Sequence, residues 1–308
     1  MNKITINFID IFDFFIENIQ TETKQNLTFE HLIMLRETNK IIKEISDKIQ
    51  PFVKVIYLYK TYKKNQLKFF FNSQEMLNHF KIISLEVENH AIATSDPIKS
   101  LINLISNNHN MKHINQINLS NYKFEIQEFI KLSVVFNQYK YLDHLNLQCN
   151  HFGPKETKIL TGVLVQCPGL SRLDLRYNEI RSEGAEILAK VIPLCTSLRY
   201  LDIGWNYIHS NGLENFARMF SQCTTLTSLD ISDNNDNPNY HGFVSFVGML
   251  PWSESLVNIN LSTNGIKNVG EILSHSTSLT ELNLYDNNIS IGELSNLAKM
   301  FRHCKIYK

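Results

Sequence analysis

The sequence predicts an α/β solenoid, in which strand–turn–helix units of about 28 residues stack side by side and share one core. A pattern of apolar-x-x-apolar-x-apolar-x-x-Asn-x-apolar recurs six times between residues 142 and 289. Within each copy, apolar and other residues alternate, which is typical of a strand that buries one face. After the asparagine, apolar residues recur at the i, i+3, i+4, i+7 spacing of an amphipathic helix. Since one unit cannot bury both stripes, the units must stack.

One asparagine occupies the same place in every copy of the pattern. The six are separated by 28, 28, 28, 30 and 23 residues, and they are Asn150, Asn178, Asn206, Asn234, Asn264 and Asn287. Upstream, "INQINLSNYKF" fits the pattern with Tyr122 in this place, and "ISLEVENHAI" is a fainter copy with His90. An amide offers two donors and an acceptor, so we expect the six side chains to form a structural ladder bonded to backbone groups at the strand ends.

The second half of each unit predicts the helix. In "EGAEILAKVIPLCTSL" the apolar stripe consists of Ala185, Leu188, Ala189 and Ile192. Gly184, Gly212 and Gly270 each lie six residues after the asparagine, where we expect them to supply backbone freedom as the helix begins. The longer "DNNDNPNYHGF" predicts a protruding loop, and the 23-residue step after Asn264 leaves room for one helical turn. The final "CKIYK" predicts one more strand.

The repeated residues also carry a family resemblance. The six copies of the pattern and the "EGAEILAKVIPLCTSL" half resemble the leucine-rich repeat family, in its ribonuclease-inhibitor-like subclass. The "CPGLSRLDL" join is similar to the cysteine-containing repeats of F-box/LRR proteins. The resemblance covers residues 82–308 and implies a curved leucine-rich-repeat solenoid of about seven to eight repeats. Because strands stack more closely than helices, the strands should line its concave face.

Residues 1–50 lack the repeat and predict a helical N-terminal segment. Two amphipathic stretches, "INFIDIFDFFIENI" and "FEHLIMLRETNKIIKEISDKI", flank a polar connection. The second resembles the distal half of an F-box, without its usual Leu-Pro opening, which implies a ubiquitin-ligase adaptor as a partner. The alternative is a helical cap that covers the core of the first repeat. Residues 51–81 are interpreted as a linker or an atypical first repeat.

Charge and composition restrict the class of partner. Thirty basic residues balance thirty acidic ones, whereas nonspecific binding of nucleic acid requires a basic surplus. The stretch "YLYKTYKKNQLKFFF" interleaves lysines with aromatic residues, as a single-strand binding surface or a lysine-coated element does. No secretory signal or long uncharged apolar window occurs. We expect a cytoplasmic protein without membrane contact, or one delivered into a host cell if its source is an intracellular bacterium or virus.

The sequence predicts no catalytic residue, metal ligand set or cofactor. The motifs G-x-S-x-G, H-E-x-x-H and G-x-x-x-x-G-K are missing. Cys167, Cys195 and Cys223 recur every 28 residues, so we expect small buried apolar side chains rather than disulfides.

Three aspartates also recur every 28 residues. Asp174, Asp202 and Asp230 should form a column on the concave face, and we interpret them as exposed strand residues, with Arg172 able to pair with them. The alternative is that these aligned carboxylates shift each other's pKa or hold a cation.

The residues between the repeated leucines form the candidate binding surface. Exposed Trp, Tyr and Arg dominate the energetics of protein interfaces. The candidate contact centre consists of Arg172, Arg176, Tyr177, Tyr200, Trp205 and Tyr285. In the alternative, Tyr177 and Trp205 fold onto their neighbours. The sequence thus predicts a non-enzymatic protein-binding module; an F-box-type substrate receptor of a cullin ubiquitin ligase and a nuclease or GTPase regulator are the alternatives.

Overall fold

A computed structural model describes the strands 52–53, 56–59, 81–82 and 84–88, together with residues 114–136, 138–234, 241–267, 273 and 276–308. The chain divides into two compact units, Met1–Asn118 and Leu119–Lys308. Several sequence predictions lie outside the described residues. They are the N-terminal helices, the F-box-like stretch, His90, most of the lysine–aromatic stretch, the loop at 235–240, Gly270 and most of the helical turn that follows Asn264.

In the first unit, the described elements are short parallel strands. They are β1 (Phe52–Val53), β2 (Ile56–Tyr59), β3 (Lys81–Ile82), β4 (Ser84–Glu88) and β5 (Gln116–Asn118). β1 pairs with β3, β2 with β4, and β4 with β5, all in parallel. β1 and β2 lie within residues 51–81, for which the sequence allowed either a linker or an atypical repeat.

The second unit contains an open parallel sheet, in which the described strands follow one another in chain order. These strands are β6 (His144–Asn146), β7 (Arg172–Asp174), β8 (Tyr200–Asp202), β9 (Ser228–Asp230), β10 (Asn258–Asn260), β11 (Glu281–Asn283) and β12 (Lys305–Tyr307). The middle residue of each strand from β6 to β11 is buried. The strand predicted from "CKIYK" is confirmed as β12.

Helices alternate with these strands, as the sequence predicts for a solenoid. They are α1 (Ile126–Phe136), α2 (Pro154–Gln166), α3 (Arg181–Val191), α4 (His209–Ala217), α5 (His241–Met249) and α6 (Ile291–Met300). Short 3₁₀ helices follow three of them, at Ile192–Leu194, Arg218–Ser221 and Leu250–Trp252. Within the described part of the chain, none of the helices has the length and apolarity needed to cross a bilayer.

The core lies between the sheet and the helices, and the repeated apolar positions fill it. Leu173, Leu201 and Leu229 pair in register at the middle of neighbouring strands and are buried. The predicted stripe of α3 is buried at Ala185, Leu188 and Ile192 and half-buried at Ala189. The repeated cysteines are also buried, and all five cysteines of the chain are free thiols. The repeated cysteines thus occupy buried core positions, as the sequence predicts.

The repeated glycines serve close packing of helices rather than the backbone freedom that we expected. Gly184 and Gly212 lie inside α3 and α4 with ordinary helical backbone. A Cβ atom added to Gly212 would lie 2.8 Å from the Cα atom of Ser182 in the preceding helix. One added to Gly242 would overlap the backbone of Ser210. Each glycine thus lets its helix approach the preceding one at a small residue. Gly242 escaped the sequence reasoning because two extra residues precede it.

The asparagine side chains connect each repeat to the one before it. Asn178 Oδ1 accepts hydrogen bonds from the backbone N–H groups of Asn150 and Phe152, both at 2.9 Å. Its Nδ2 donates to Leu147 O at 3.0 Å and to Leu175 O at 2.8 Å. Equivalent bonds join the other five asparagines to the backbone. Five of the six side chains are buried and Asn287 is half-buried, so water cannot replace most of these bonds.

Gly242→Ala should lower the free energy of unfolding by about 1–3 kcal/mol, because the added methyl group overpacks the contact between α4 and α5. Gly162→Ala is the matched control, since an added Cβ there meets nothing within 4 Å. It should raise stability by up to about 1 kcal/mol through helix propensity. Urea unfolding followed by circular dichroism measures both. Equal effects of the two substitutions would contradict the packing explanation.

Asn178→Ala should lower the free energy of unfolding by about 3–5 kcal/mol, because it leaves several buried backbone groups without a partner and each costs about 1–3 kcal/mol. Asn288→Ala, at an exposed position beside a ladder asparagine, should change stability by less than about 0.5 kcal/mol. The same urea titration compares them. A loss below about 1 kcal/mol for Asn178→Ala would show that the ladder contributes little.

Candidate functional site

The exposed side of the sheet in the second unit is the candidate site, and we call it the strand face. It consists of the first and third residues of each strand, which project away from the buried middle residue. The pairing register aligns them in two rows. The first row is His144, Arg172, Tyr200, Ser228, Asn258, Glu281 and Lys305, and the second is Asn146, Asp174, Asp202, Asp230, Asn260, Asn283 and Tyr307.

At the end of each strand from β6 to β11, the residue before the ladder asparagine adopts a left-handed backbone. The six residues are Cys149, Tyr177, Trp205, Asp233, Thr263 and Asp286, with φ between 50° and 57°. Asn, Asp and Gly adopt this conformation most readily. For other L-residues, it costs on the order of 1–2 kcal/mol. A bulky aromatic side chain at this place is therefore not selected by the local backbone.

Two neighbouring repeats nevertheless place aromatic residues there. The rings of Tyr177 and Trp205 pack against each other, with centroids 5.0 Å apart and planes tilted by 35°. The two residues remain 43% and 40% exposed. The rings therefore fold onto each other and still present a surface.

Two arginines extend this aromatic surface. Arg172 Cζ lies 3.8 Å from the centroid of the Tyr200 ring, and Arg176 Cζ lies 4.9 Å from that of Tyr177. Arg176 Nε is buried and has no hydrogen-bond partner among the described residues. The structure thus brings five of the six predicted contact residues together on β7, β8 and the turns that follow them.

Tyr285 lies apart from these five residues. Backbone hydrogen bonds align it with Ser262, Ser232 and Gly204 of the preceding repeats. It is therefore three strands from Gly204, or about 14 Å at the usual strand spacing. Its side chain is 63% exposed. The predicted contact centre is thus two patches on one face, since the register separates residues that the sequence placed in one group.

The aspartate column is less exposed than the sequence suggested. Asp174, Asp202 and Asp230 are aligned in register, but Asp202 is only 4% exposed. A Cβ atom added to Gly204 would lie 3.1 Å from Asp230 Oδ1 and 3.3 Å from Asp202 Oδ1, so the two carboxylates converge over this glycine. The interpretation of Asp202 as an exposed strand residue is wrong. In the sequence, the burial of Asp202 could have been predicted from Gly204, because the other repeats have a side chain at the equivalent position.

This environment changes the titration of Asp202. Burial, together with the charges of Asp230 and Asp174, raises the pKa of Asp202 to about 7. The Gly204 N–H donates to Asp202 Oδ1 at 3.0 Å, which opposes the shift only in part. Burial also raises the pKa of Asp174, although Arg172 and Arg176 act against it. The carboxylates thus destabilise one another when they are all ionised.

The hydrogen bonds of the column come from uncharged donors. Asp230 accepts from the Ser232 N–H at 2.9 Å, from the Ser232 hydroxyl at 2.6 Å and from Asn260 Nδ2 at 2.7 Å. The pairing of Arg172 with these aspartates that the sequence suggested is not formed, because its guanidinium lies over the Tyr200 ring instead. Within the described ranges, no ion pair shorter than 4.0 Å reaches any of the three carboxylates. Among those same residues, no group of three potential metal ligands occurs.

Asp202→Asn should reduce the pH dependence of stability. The folded state holds the proton of Asp202 more tightly than the unfolded chain, so its contribution is present at low pH and is lost as the pH rises through about 7. A difference of one in pKa corresponds to about 1.4 kcal/mol, so the variant should gain on the order of 2 kcal/mol over wild type between pH 5 and 8. Urea unfolding at several pH values measures this gain. Asp143→Asn, at an exposed position, is the control. If the free energy of unfolding depends on pH in the same way for both variants, the assignment of the raised pKa to Asp202 is wrong.

Comparisons with known proteins agree with this repeat geometry. A family model described as Leucine Rich repeat matches residues 166–189, 194–217 and 222–235, and another, Leucine Rich Repeat, matches residues 278–300. None of the curated proteins matches the chain by sequence.

Two solved structures are similar at low sequence identity. The tropomodulin C-terminal domain from Caenorhabditis elegans is 14% identical with a TM-score of 0.39, over 48% of this chain and 90% of that domain. A complex of TLR13 with ssRNA13 contains a chain that is 16% identical with a TM-score of 0.45, and the alignment covers 82% of this chain and 35% of that one.

The matched segments coincide with the repeats that the structure describes. Each contains one strand of the sheet and the ladder asparagine that follows it, at Asn178, Asn206, Asn234 or Asn287. The ribonuclease-inhibitor-like and F-box/LRR subclasses stay predictions. By its repeat pattern, its strand–asparagine–helix units and its family matches, the chain contains leucine-rich repeats.

Proposed function

We propose that this protein is a non-enzymatic interaction module, which binds a protein partner on the strand face of its leucine-rich repeats. The proposed contact residues are Arg172, Arg176, Tyr177, Tyr200 and Trp205 in one patch and Tyr285 in the other. Leucine-rich repeats suggest protein binding in general. The proposal includes a cytoplasmic location and no cofactor, metal or nucleic acid.

One observation carries the proposal: two exposed aromatic residues occupy left-handed positions that they do not stabilise. Tyr177 and Trp205 have φ of 56° and 57°, whereas Asp occupies the equivalent place in two later repeats. Asp tolerates this backbone better than an aromatic residue does. The aromatic side chains therefore add exposed apolar area at a cost in stability, and covering that area with a partner would recover free energy.

The arginines support the same surface. A guanidinium that already lies on an aromatic ring loses little further conformational freedom when a partner binds. Its in-plane N–H groups remain free to donate hydrogen bonds. Arg172 and Arg176 both have this arrangement. Trp, Tyr and Arg are also the residue types that contribute most to protein interfaces. The patch around Tyr177 and Trp205 therefore has the composition of an interface centre.

The double substitution Tyr177→Asn and Trp205→Asn should weaken partner binding without unfolding the protein. Asn favours the left-handed backbone, so the stability of the variant should be equal to or above that of wild type. Loss of two central aromatic contacts should weaken binding by at least tenfold, which is about 1.4 kcal/mol. Affinity capture with the immobilised full chain, from cells of its own source and with quantification of the bound proteins, measures this change.

Trp252→Asn is the matched control, because Trp252 is 67% exposed but lies in the 3₁₀ helix after α5, outside the strand face. A specific partner should bind wild type and the Trp252 variant equally and should be lost from the double variant. Retention of the same proteins by all three would refute the strand-face assignment.

The F-box alternative depends on residues 1–50. Because these residues lie outside the described part of the chain, the ubiquitin-ligase adaptor stays a prediction from the sequence. The regulator of a nuclease or GTPase is one form of the proposed module and differs from it only in the identity of the partner.

A further inference from the structure

A cleft of about 680 Å³ opens on the strand face between β8 and β12. The residues of its wall that matter most are Tyr200, Asp230, Asn260, Glu281, Tyr285 and Tyr307. Its wall thus combines carboxylates, side-chain amides and tyrosine rings. The cleft contains Tyr285 and reaches the patch around Trp205 only at Tyr200.

The carboxylates of the cleft lack a direct counter-charge. Asp230 is bonded only to neutral donors, and the converging Asp202 lies beside it. The Glu281 carboxylate forms no hydrogen bond or ion pair within the described residues. Cations of this chain lie at the margins, where Lys308 lines the cleft and Lys305 stands next to Glu281 in register. The negative potential around Asp230 therefore remains available to a positively charged ligand.

The tyrosines of the cleft differ in whether a ring face is free. Arg172 already lies 3.8 Å from the centroid of Tyr200, and Lys305 Nζ lies 4.6 Å from that of Tyr307. The Tyr285 ring contacts no ring or cation among the described residues and is 63% exposed. Two of the three tyrosines thus demonstrate that these rings accept cations, and the third offers an open face.

We propose that the cleft receives an arginine side chain of the protein partner, carried on an extended basic segment that crosses β9, β10 and β11. The inference rests on the proposed function and specifies the chemistry of the partner at one end of the strand face. A guanidinium stacks on an aromatic ring and at the same time donates in its plane to carboxylate and amide oxygens. The cleft offers both kinds of surface, whereas an ammonium group makes use of the charge alone.

Binding should be linked to a proton. A guanidinium beside Asp230 would favour the ionised form of Asp202, so binding should release protons near neutral pH and weaken as the pH falls below about 7. The titratable and charged groups that face Asp202 are Asp174, Asp230, Tyr200 and Arg176.

The test uses the full chain and three capped nonapeptides of glycine and serine that carry three arginines, three lysines or three citrullines. Citrulline keeps the shape of arginine without its charge. Calorimetric titration at about 0.15 M salt should show at least tenfold tighter binding of the arginine peptide than of the citrulline peptide. Equal affinities for these two would overturn the inference, and equal affinities for arginine and lysine would overturn the assignment to arginine.

Variants locate the binding. Asp230→Asn combined with Glu281→Gln should remove the preference for the arginine peptide. Tyr285→Leu should reduce this preference in part. Glu281→Gln alone changes an exposed residue, so it keeps the test decisive if the double variant fails to fold. This single variant should lower the preference for the arginine peptide measurably. Unchanged preference in the correctly folded variants would place the arginine elsewhere and overturn the inference.

The two proposals fail separately. The Tyr177→Asn and Trp205→Asn variant should still bind the arginine peptide, because its changes lie outside the cleft. If the peptides show no preference while this variant loses the partner, the proposed function stands and the inference falls. If the variant keeps the partner, the proposed function falls and the peptide titrations alone decide the cleft.

Discussion

The asparagine amide at the end of each strand from β6 to β11 is the interaction on which the second unit depends. Each ladder asparagine bonds to the carbonyl group of its own strand and to that of the preceding repeat, as Asn206 does with Ile203 O and Leu175 O. Its oxygen accepts backbone N–H groups of the preceding repeat. Because buried backbone groups need partners, each turn is satisfied only when the next repeat is in place. Stacking is therefore specified by hydrogen bonds as well as by the apolar core.

The ladder also determines which residues are free to vary. It holds the residue before each asparagine in a left-handed backbone. It also keeps the two rows of residues on the strand face outside the core. In most repeats these places have polar or small residues. Around β7 and β8 they include Arg172 and three aromatic residues, and from β9 onward they include amides, carboxylates and Tyr307. One face thus presents two chemically different patches on the same backbone frame.

Periodicity was sufficient to predict the elements and their order, because alternation and the helical stripe are local properties of the chain. It was not sufficient for properties that depend on a neighbouring repeat. Gly212 has the same spacing whether it supplies backbone freedom or space for Ser182, and only the helix contact distinguishes the two. The burial of Asp202 likewise depends on the missing side chain at Gly204 and the Tyr200 hydroxyl. The distance of Tyr285 from Trp205 follows from the strand register.

The hydrogen bonds of the ladder have a direction along the chain. The backbone N–H of Asn206, next to Trp205, donates a hydrogen bond to Asn234 Oδ1, which belongs to the following repeat. Local opening of that repeat would release this N–H and loosen the backbone beneath the Trp205 ring. The order of each surface residue is thus governed by the repeat on its C-terminal side. A ligand that immobilises the aromatic patch would therefore reduce the opening of repeats that it does not touch.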